Sequence, residues 1–185
     1  MNVTGDVPAG FALFPTEIGR CGVGWNDVGL VAVQLPEGRD GATRARLMAR
    51  LPSGAREARP PEAARRAIDA MSALLRGEPV DLLDVVLDMR GVDAFPRRVY
   101  EVARAIPPGA TLTYGEVALR LGAPGAARAV GRALGQNPFP IVVPCHRVVA
   151  SGGGLGGFSA RGGAATKRRM LAIEGAMAPT LFELD

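Results

Sequence analysis

The residues best suited to chemistry are Cys145 and His146, which are adjacent in the segment PCHRVV (144–149). A cysteine attacks as its thiolate, and the thiolate forms near neutral pH only beside a base or a positive charge. His146, the only histidine in the chain, could supply the base, and Arg147 could supply the charge. A remote carboxylate could orient the imidazole. Because successive side chains of an extended segment point to opposite faces, His146 reaches the thiol directly only if the chain turns here, and otherwise through a water.

Other kinds of site fit the same region less well. A buried hydrophobic role is the usual one for a lone cysteine, and it is our interpretation of Cys21, in the apolar segment CGVGW (21–25). The glycine-rich segment SGGGLGG (151–157) lacks the Lys-Ser/Thr ending of a phosphate-binding loop, but it would let backbone wrap closely around a ligand. Two cysteines and one histidine are too few for a four-ligand zinc site, so we expect no metal and no cofactor.

The first 90 residues predict a small sheet with helices. Short apolar segments separated by Gly, Asn and Asp are typical of an antiparallel meander, and helical spacing follows them. The expected strands are 10–15, 21–25, 30–35 and 82–89, and the expected helices are 42–51 and 61–77. In the second helix Ala67, Met71, Leu74 and Leu75 share one face, which we expect to be buried.

Beyond a break at residues 90–94, the pattern becomes mainly helical with Pro and Gly stops, so we place a domain boundary between residues 90 and 91. The expected helices are 95–106, 114–121 and 125–135, and a buried strand is expected at 141–143. Thr113 and Glu116 have the spacing of a capping box. The second and third of these helices have the outline of a helix-turn-helix. The third has little side-chain bulk, which suits either a close approach to another surface or tight packing inside the protein.

The chain has 185 residues and a mass of 19.2 kDa, and its two halves differ in net charge. Residues 1–90 hold 11 basic and 12 acidic residues, whereas residues 91–185 hold 11 basic and 6 acidic ones. The basic half could attract phosphate backbones, although the preference for arginine also fits genomic base composition. No apolar segment approaches the roughly 18 to 20 residues of a membrane span, and the N-terminal sequence lacks a signal-peptide pattern, so we expect a cytoplasmic protein, on the nucleoid when bound to DNA.

Taken together, several segments resemble the O6-alkylguanine-DNA alkyltransferases. The matching segments are RAVGRALGQNPFPI (128–141), PCHRVV (144–149), GLGGFS (154–159), Lys167 and the pair Glu174-Gly175. The resemblance is close over residues 95–175, and over residues 1–90 it extends only to the layout. It implies an α/β (α+β) fold, with a ribonuclease-H-like domain at 1–90 followed by a DNA-binding alkyltransferase domain at 91–185.

The resemblance implies a methylated-DNA–protein-cysteine methyltransferase that repairs DNA by direct reversal and is consumed in one turnover. Its partner would be double-stranded DNA with O6-alkylguanine, or O4-alkylthymine, bound through the minor groove by a monomer, with the damaged base flipped out. Cys145 would accept the alkyl group, His146 would be its base through a water, and Glu174 would orient His146. Asn137 would be the hinge between the helix-turn-helix and the active-site segment, and Tyr114 would donate to the guanine ring.

The resemblance also implies a DNA surface and a base pocket. Arg128 would fill the stack that the flipped base leaves. The other implied DNA-binding residues are Thr113, Ala126, Ala127, Ala129 and Gly131. The implied pocket residues are Val148, Gly156, Gly157, Phe158 and Ser159, with backbone groups of Cys145, Val148 and Ser159 contacting the base. Phe158 stands where the family usually has tyrosine, and the segment 160–166 is longer than the usual form.

Three other functions fit parts of the sequence. A damage sensor that binds the flipped base without repair typically has tryptophan at the cysteine position, so Cys145 argues against it. A cysteine hydrolase using Cys145, His146 and Glu174 would show multiple turnovers. A transcriptional regulator would need polar side chains to read base edges, and the third helix offers few.

Overall fold

The computed structural model describes residues 9–178. Its strands are β1 (Gly10–Phe14), β2 (Cys21–Trp25), β3 (Leu30–Gln34), β4 (Arg56–Glu57), β5 (Leu112–Thr113) and β6 (Val148–Val149). Its α-helices are α1 (Asp40–Met48), α2 (Glu62–Leu75), α3 (Ala94–Arg104), α4 (Tyr114–Arg120), α5 (Ala127–Gly135) and α6 (Ala164–Ile173). Within the described range, no helix is both long and apolar enough to cross a membrane.

The N-terminal sheet has the strand order β3-β2-β1-β4. The predicted antiparallel meander is confirmed, with Ala12 opposite Val23 and Val23 opposite Val33. The short strand β4, which pairs parallel with β1, was not predicted. Helix α2 buries the expected face on this sheet, and its core residues include Ala67, Met71, Leu74 and Leu75.

Two strand predictions were wrong. Residues 82–89 form turns and make one isolated bridge, from Leu87 to Leu30; a turn at Asp81, whose carboxylate accepts from Leu83 N–H, leaves Leu83 exposed. Residues 141–143 are buried, but they also form a turn, in which Ile141 has φ 75°. The Asn137 side chain holds this turn, because it donates to Val143 O and accepts from Phe139 N–H.

The C-terminal helices have nearly the predicted bounds. Helices α3, α4 and α5 pack together around a second core that includes Val99, Ile106 and Val130. The predicted capping box is confirmed, because Glu116 N–H donates to Thr113 Oγ1 at 3.2 Å and Thr113 N–H donates to the Glu116 carboxylate at 2.6 Å. Strands β5 and β6 pair parallel and thereby fix the start of α4 beside the segment that follows Cys145.

The two cores do not divide cleanly at the expected boundary. Ile141, Val142 and Met170, from the second half of the chain, belong to the core beneath the N-terminal sheet. Val33 N–H also donates to Pro138 O at 2.8 Å. The division into domains 1–90 and 91–185 therefore stays a prediction, while the structure shows that the second half completes the N-terminal core.

Candidate active site

Cys145 begins a turn that decides how its neighbours are placed. Pro144 precedes a short 3-10 helix, Cys145–Arg147, in which Arg147 N–H donates to Pro144 O at 2.9 Å. The chain therefore does not continue as the extended segment that we considered. Cys145 is half-buried at a cleft, whereas His146 is completely buried behind it.

The cleft containing Cys145, called here the Cys145 cleft, has a volume of about 790 Å³. Helices α4 and α5 form one wall, and the glycine-rich segment forms the other. Of the predicted site residues, those lining the cleft are Tyr114, Ala127, Arg128, Gly131, Cys145, Gly157, Phe158 and Ser159. The predicted residues Thr113, Ala126, Ala129, Val148 and Gly156 do not line it. The structure thus brings most of the predicted base pocket together with the start of α5.

Gly156 supports the cleft without lining it. Its φ is 73°, and a Cβ there would lie 2.8 Å from Cε2 of the Tyr114 ring. A side chain at this position would strain the left-handed backbone and would force the Tyr114 ring to shift. The Tyr114 hydroxyl donates to Gly157 O at 3.4 Å, so the glycine-rich segment packs directly on the tyrosine.

Behind the cleft, His146, Arg147 and Glu174 form a buried network. His146 Nε2 lies 2.8 Å from Glu174 Oε1. Arg147 donates to both carboxylate oxygens of Glu174, at 2.7 and 2.9 Å, and to Ile106 O at 2.6 Å. Glu174, which directly follows α6, is therefore held in place by a bidentate charged pair.

The pKa values of this network fix its protonation. Burial alone would raise the pKa of Glu174, but hydrogen bonds from His146 and Arg147 outweigh it and hold the pKa at about 2. Burial lowers the pKa of His146, and the nearby Glu174 opposes this only in part. At neutral pH the network thus holds a carboxylate and a neutral imidazole.

The carboxylate also selects the tautomer of His146. An ionised carboxylate can only accept a hydrogen bond, so Nε2 of His146 carries the proton and Nδ1 has a free lone pair. Within the described residues, Nδ1 has no hydrogen-bond partner. The imidazole is therefore prepared to take a proton at Nδ1.

The thiol itself rests protonated. Burial raises the pKa of Cys145, and a hydrogen bond with Asn137 and the positive charge of Lys167 oppose the rise. We suggested Arg147 as the source of positive charge, but this guanidinium is engaged by Glu174 and Ile106. The nearby charge belongs instead to Lys167.

Lys167 lies at the site, although the sequence analysis gave it no function. It is completely buried on α6, and its Nζ donates to Val148 O at 2.6 Å and lies 3.5 Å from the Tyr114 hydroxyl. Burial lowers its pKa to about 8, and a thiolate at Cys145 opposes this lowering. The signal that could have revealed it is composition, since it is the only lysine in the chain.

Asn137 closes the turn that leads to Cys145. Its Nδ2 donates to Val143 O at 2.9 Å, and its Oδ1 accepts from Phe139 N–H at 2.9 Å. The residue follows the end of α5 by two positions, so it joins that helix to the active-site turn. Its predicted function as a hinge is compatible with these contacts.

Proteins of known identity are similar to this chain in sequence and in fold. The methylated-DNA–protein-cysteine methyltransferase of Methanothermobacter thermautotrophicus is 40% identical over 154 residues, which are 83% of this chain and 78% of the relative. The chain belongs to the methylated-DNA–protein-cysteine methyltransferase family. The DNA-binding domain of 6-O-methylguanine DNA methyltransferase matches residues 94–176. The family assignment confirms the predicted enzyme class and its place in DNA repair.

Solved structures of this methyltransferase family confirm the α/β fold class. The crystal structure of Mycobacterium tuberculosis OGT in complex with DNA has a TM-score of 0.74 at 35% identity, covering 95% of this chain and 98% of that one. The O6-methylguanine-DNA methyltransferase of Pyrococcus kodakaraensis has a TM-score of 0.68 at 26% identity, covering 91% and 99%. In residues 9–178 of the present methyltransferase, no three His, Cys, Asp or Glu side chains are grouped to hold a metal ion.

Proposed function

We propose that this protein repairs O6-alkylguanine in double-stranded DNA by transferring the alkyl group to Cys145, and that one molecule repairs one lesion. The observation that carries the proposal is the half-buried Cys145 thiol in an open cleft, with the His146–Glu174 pair buried directly behind it. The protein acts as a cytoplasmic monomer, associated with the nucleoid while it is bound to DNA.

His146 acts as the base in this reaction. A water joins the Cys145 thiol to Nδ1 of His146, which takes the proton, and the ionised Glu174 stabilises the imidazolium through Nε2. The thiolate attacks the alkyl carbon, a sulfur–carbon bond forms, and the bond from that carbon to guanine O6 breaks. The proton is then passed on to guanine. The Tyr114 hydroxyl, at the cleft wall, donates to the ring as negative charge develops.

The product explains the single turnover. A thioether has no polarised carbonyl for water to attack, so no hydrolysis restores the thiol. The DNA-binding surface is the α4–α5 pair, and α5 enters the minor groove with its small residues. Arg128 is exposed at the cleft and makes no ion pair with another described residue, so its guanidinium is available to replace the flipped base.

A stoichiometric titration tests the proposal. Increasing amounts of protein are mixed with a duplex oligonucleotide that contains one O6-methylguanine, and the remaining lesion is quantified. Repair should stop at one lesion per protein molecule. The variant Cys145→Ala should bind the duplex and repair none, whereas the matched variant Cys21→Ala should repair normally. Repair by the Cys145→Ala variant, or repair beyond one lesion per molecule, would contradict the proposal.

A further inference from the structure

The two walls of the Cys145 cleft rest on different halves of the chain. Phe158 and Ser159 line the cleft from the glycine-rich side. Phe158 and the nearby Ala160 pack against the core beneath the N-terminal sheet. On the opposite side, Tyr114 packs with Cys145 against the core that α3, α4 and α5 share. The width of the cleft therefore depends on how the segment 158–160 is held on the N-terminal half.

A hydrogen bond from Arg161, which directly follows this segment, ties it to a loop of the N-terminal half. Nη1 of Arg161 donates to Glu37 O, 124 positions earlier in the chain. The Glu37 loop is itself held, because Glu37 N–H donates to Thr43 Oγ1 at 3.0 Å and Gln34 Nε2 donates to the Glu37 carboxylate at 3.0 Å. On the other side, Thr166 Oγ1 on α6 donates to Arg161 O at 2.6 Å. Arg161 thus joins the cleft wall to fixed backbone in both halves.

Gly38 leaves the space that the Arg161 guanidinium occupies. Its φ is 84°, and a Cβ there would lie 2.6 Å from Cζ of Arg161. A side chain at residue 38 would strain the left-handed backbone and would force the guanidinium to move. Arg161 does not line the Cys145 cleft itself. Its effect on the reaction therefore passes through Phe158 and Ser159, the wall residues that precede it.

We propose that Arg161 is a positioning residue for alkyl transfer, because its bond to Glu37 O sets the distance between the Phe158–Ser159 wall and Cys145. The inference rests on the proposed transfer to Cys145. A damaged base in the cleft contacts this wall while its alkyl carbon faces the sulfur. Displacement of reacting atoms by about 1 Å can slow a reaction by about a hundredfold. Arg161 holds the geometry and takes no part in the bond changes.

Single-turnover kinetics of two variants test the proposal. Methyl transfer to the full-length protein is followed at a saturating concentration of a duplex that contains one O6-methylguanine. Arg161→Met removes the bond, whereas Gly38→Ala displaces the guanidinium and keeps its charge. Both variants should lower the first-order rate constant by about fivefold or more, the factor that corresponds to one hydrogen bond. The affinity of Gly38→Ala for an undamaged duplex should stay within about twofold of the wild type, since no charge is removed.

Two matched variants separate this positioning from general stabilisation. Arg169→Met removes an arginine that also bonds a backbone carbonyl of the N-terminal half, Glu17 O, but from α6 and not from the cleft wall. Gly54→Ala adds a Cβ at a glycine with φ 91°, where no atom lies within 4 Å. Both variants should keep the wild-type rate constant. Arg161→Lys retains a donor and should recover part of the rate that Arg161→Met loses.

The rate constant and the amount of reactive protein are measured separately. A wild-type rate constant in Arg161→Met or in Gly38→Ala, or an equal fall in Arg169→Met, would overturn the inference. A smaller amount of reactive protein with an unchanged rate constant would also overturn it, because it would mean that Arg161 only stabilises the fold. Failure of the wild-type protein to accept the methyl group would instead overturn the proposed function.

Discussion

Replacing Glu174 by glutamine should destabilise the protein in a pH-dependent way. Its pKa lies at about 2, against an ordinary value of 4.5, because His146 and Arg147 donate to its carboxylate. This difference corresponds to about 3 kcal/mol of folding free energy. The side chain has no exposed surface, so solvent screening does not reduce the figure. Breaking a buried charged pair costs a similar amount, about 3 to 5 kcal/mol.

The sign of the pH dependence follows from the lowered pKa. The stabilisation is fully present above the unfolded value of 4.5, and it is lost as the pH falls from there toward 2. Urea denaturation of the wild type and Glu174→Gln should therefore differ by about 3 kcal/mol at pH 7 and by about 1 kcal/mol at pH 3.

A control variant at an exposed glutamate shows the effect of removing a carboxylate charge that is not buried. Glu62→Gln removes an exposed carboxylate that pairs with Arg65 at 2.6 Å and Arg66 at 3.5 Å, and its side chain is 63% exposed. This change should alter the free energy of unfolding by less than about 0.5 kcal/mol. A cost below about 1 kcal/mol for Glu174→Gln at pH 7, or a difference that does not shrink at low pH, would refute the reasoning.

Three further outcomes are expected. Burial lowers the pKa of Lys167 to about 8 from 10.5, so the unfolded chain binds more protons than the folded protein between these pH values. The free energy of unfolding of the wild type, relative to that of Lys167→Met, should therefore rise by up to about 3 kcal/mol between pH 8 and 10.5. Urea denaturation that shows the same difference between the two proteins at both pH values would contradict this. Asn137→Ala removes both hydrogen bonds that close the turn before Cys145, so thermal denaturation should show a loss of about 1 to 3 kcal/mol in the free energy of unfolding. An unchanged free energy of unfolding would contradict the stabilising function of these two bonds. Gly156→Ala places a methyl group against Tyr114, so the rate of methyl transfer should fall more than in Gly152→Ala, where φ is 70° and a Cβ meets no atom within 4 Å. Equal rates in the two variants would contradict a function for this packing.

Local signals predicted much of the fold. The capping residues Thr113 and Glu116, and the stops at Gly122 and Gly77, set helix ends within a few residues, because those bonds and backbone angles depend on neighbours in sequence. The strand prediction for residues 82–89 was wrong because a strand needs a partner along its length, and the backbone of this segment bonds to the sheet only at Leu30. The apolar residues 141–143 reflect burial and not strand pairing, since the Asn137 side chain bonds to the backbone of this segment.

The site was predictable only in part for a similar reason. Adjacency identified Cys145 and His146, whereas Glu174, 28 residues from His146, came only from the family resemblance. The placement of Arg147 on Glu174, and of Lys167 beneath Tyr114, depends on how α6 packs against the active-site turn. No sequence period encodes that packing.

The most direct test of the central claim is peptide mass spectrometry of the protein after reaction with a duplex containing one O6-methylguanine. The account predicts one added methyl group, located on the peptide that contains Cys145, with the Cys21 peptide unchanged and the guanine restored in the DNA. A methyl group on any other residue, or loss of the lesion without modification of Cys145, would contradict it.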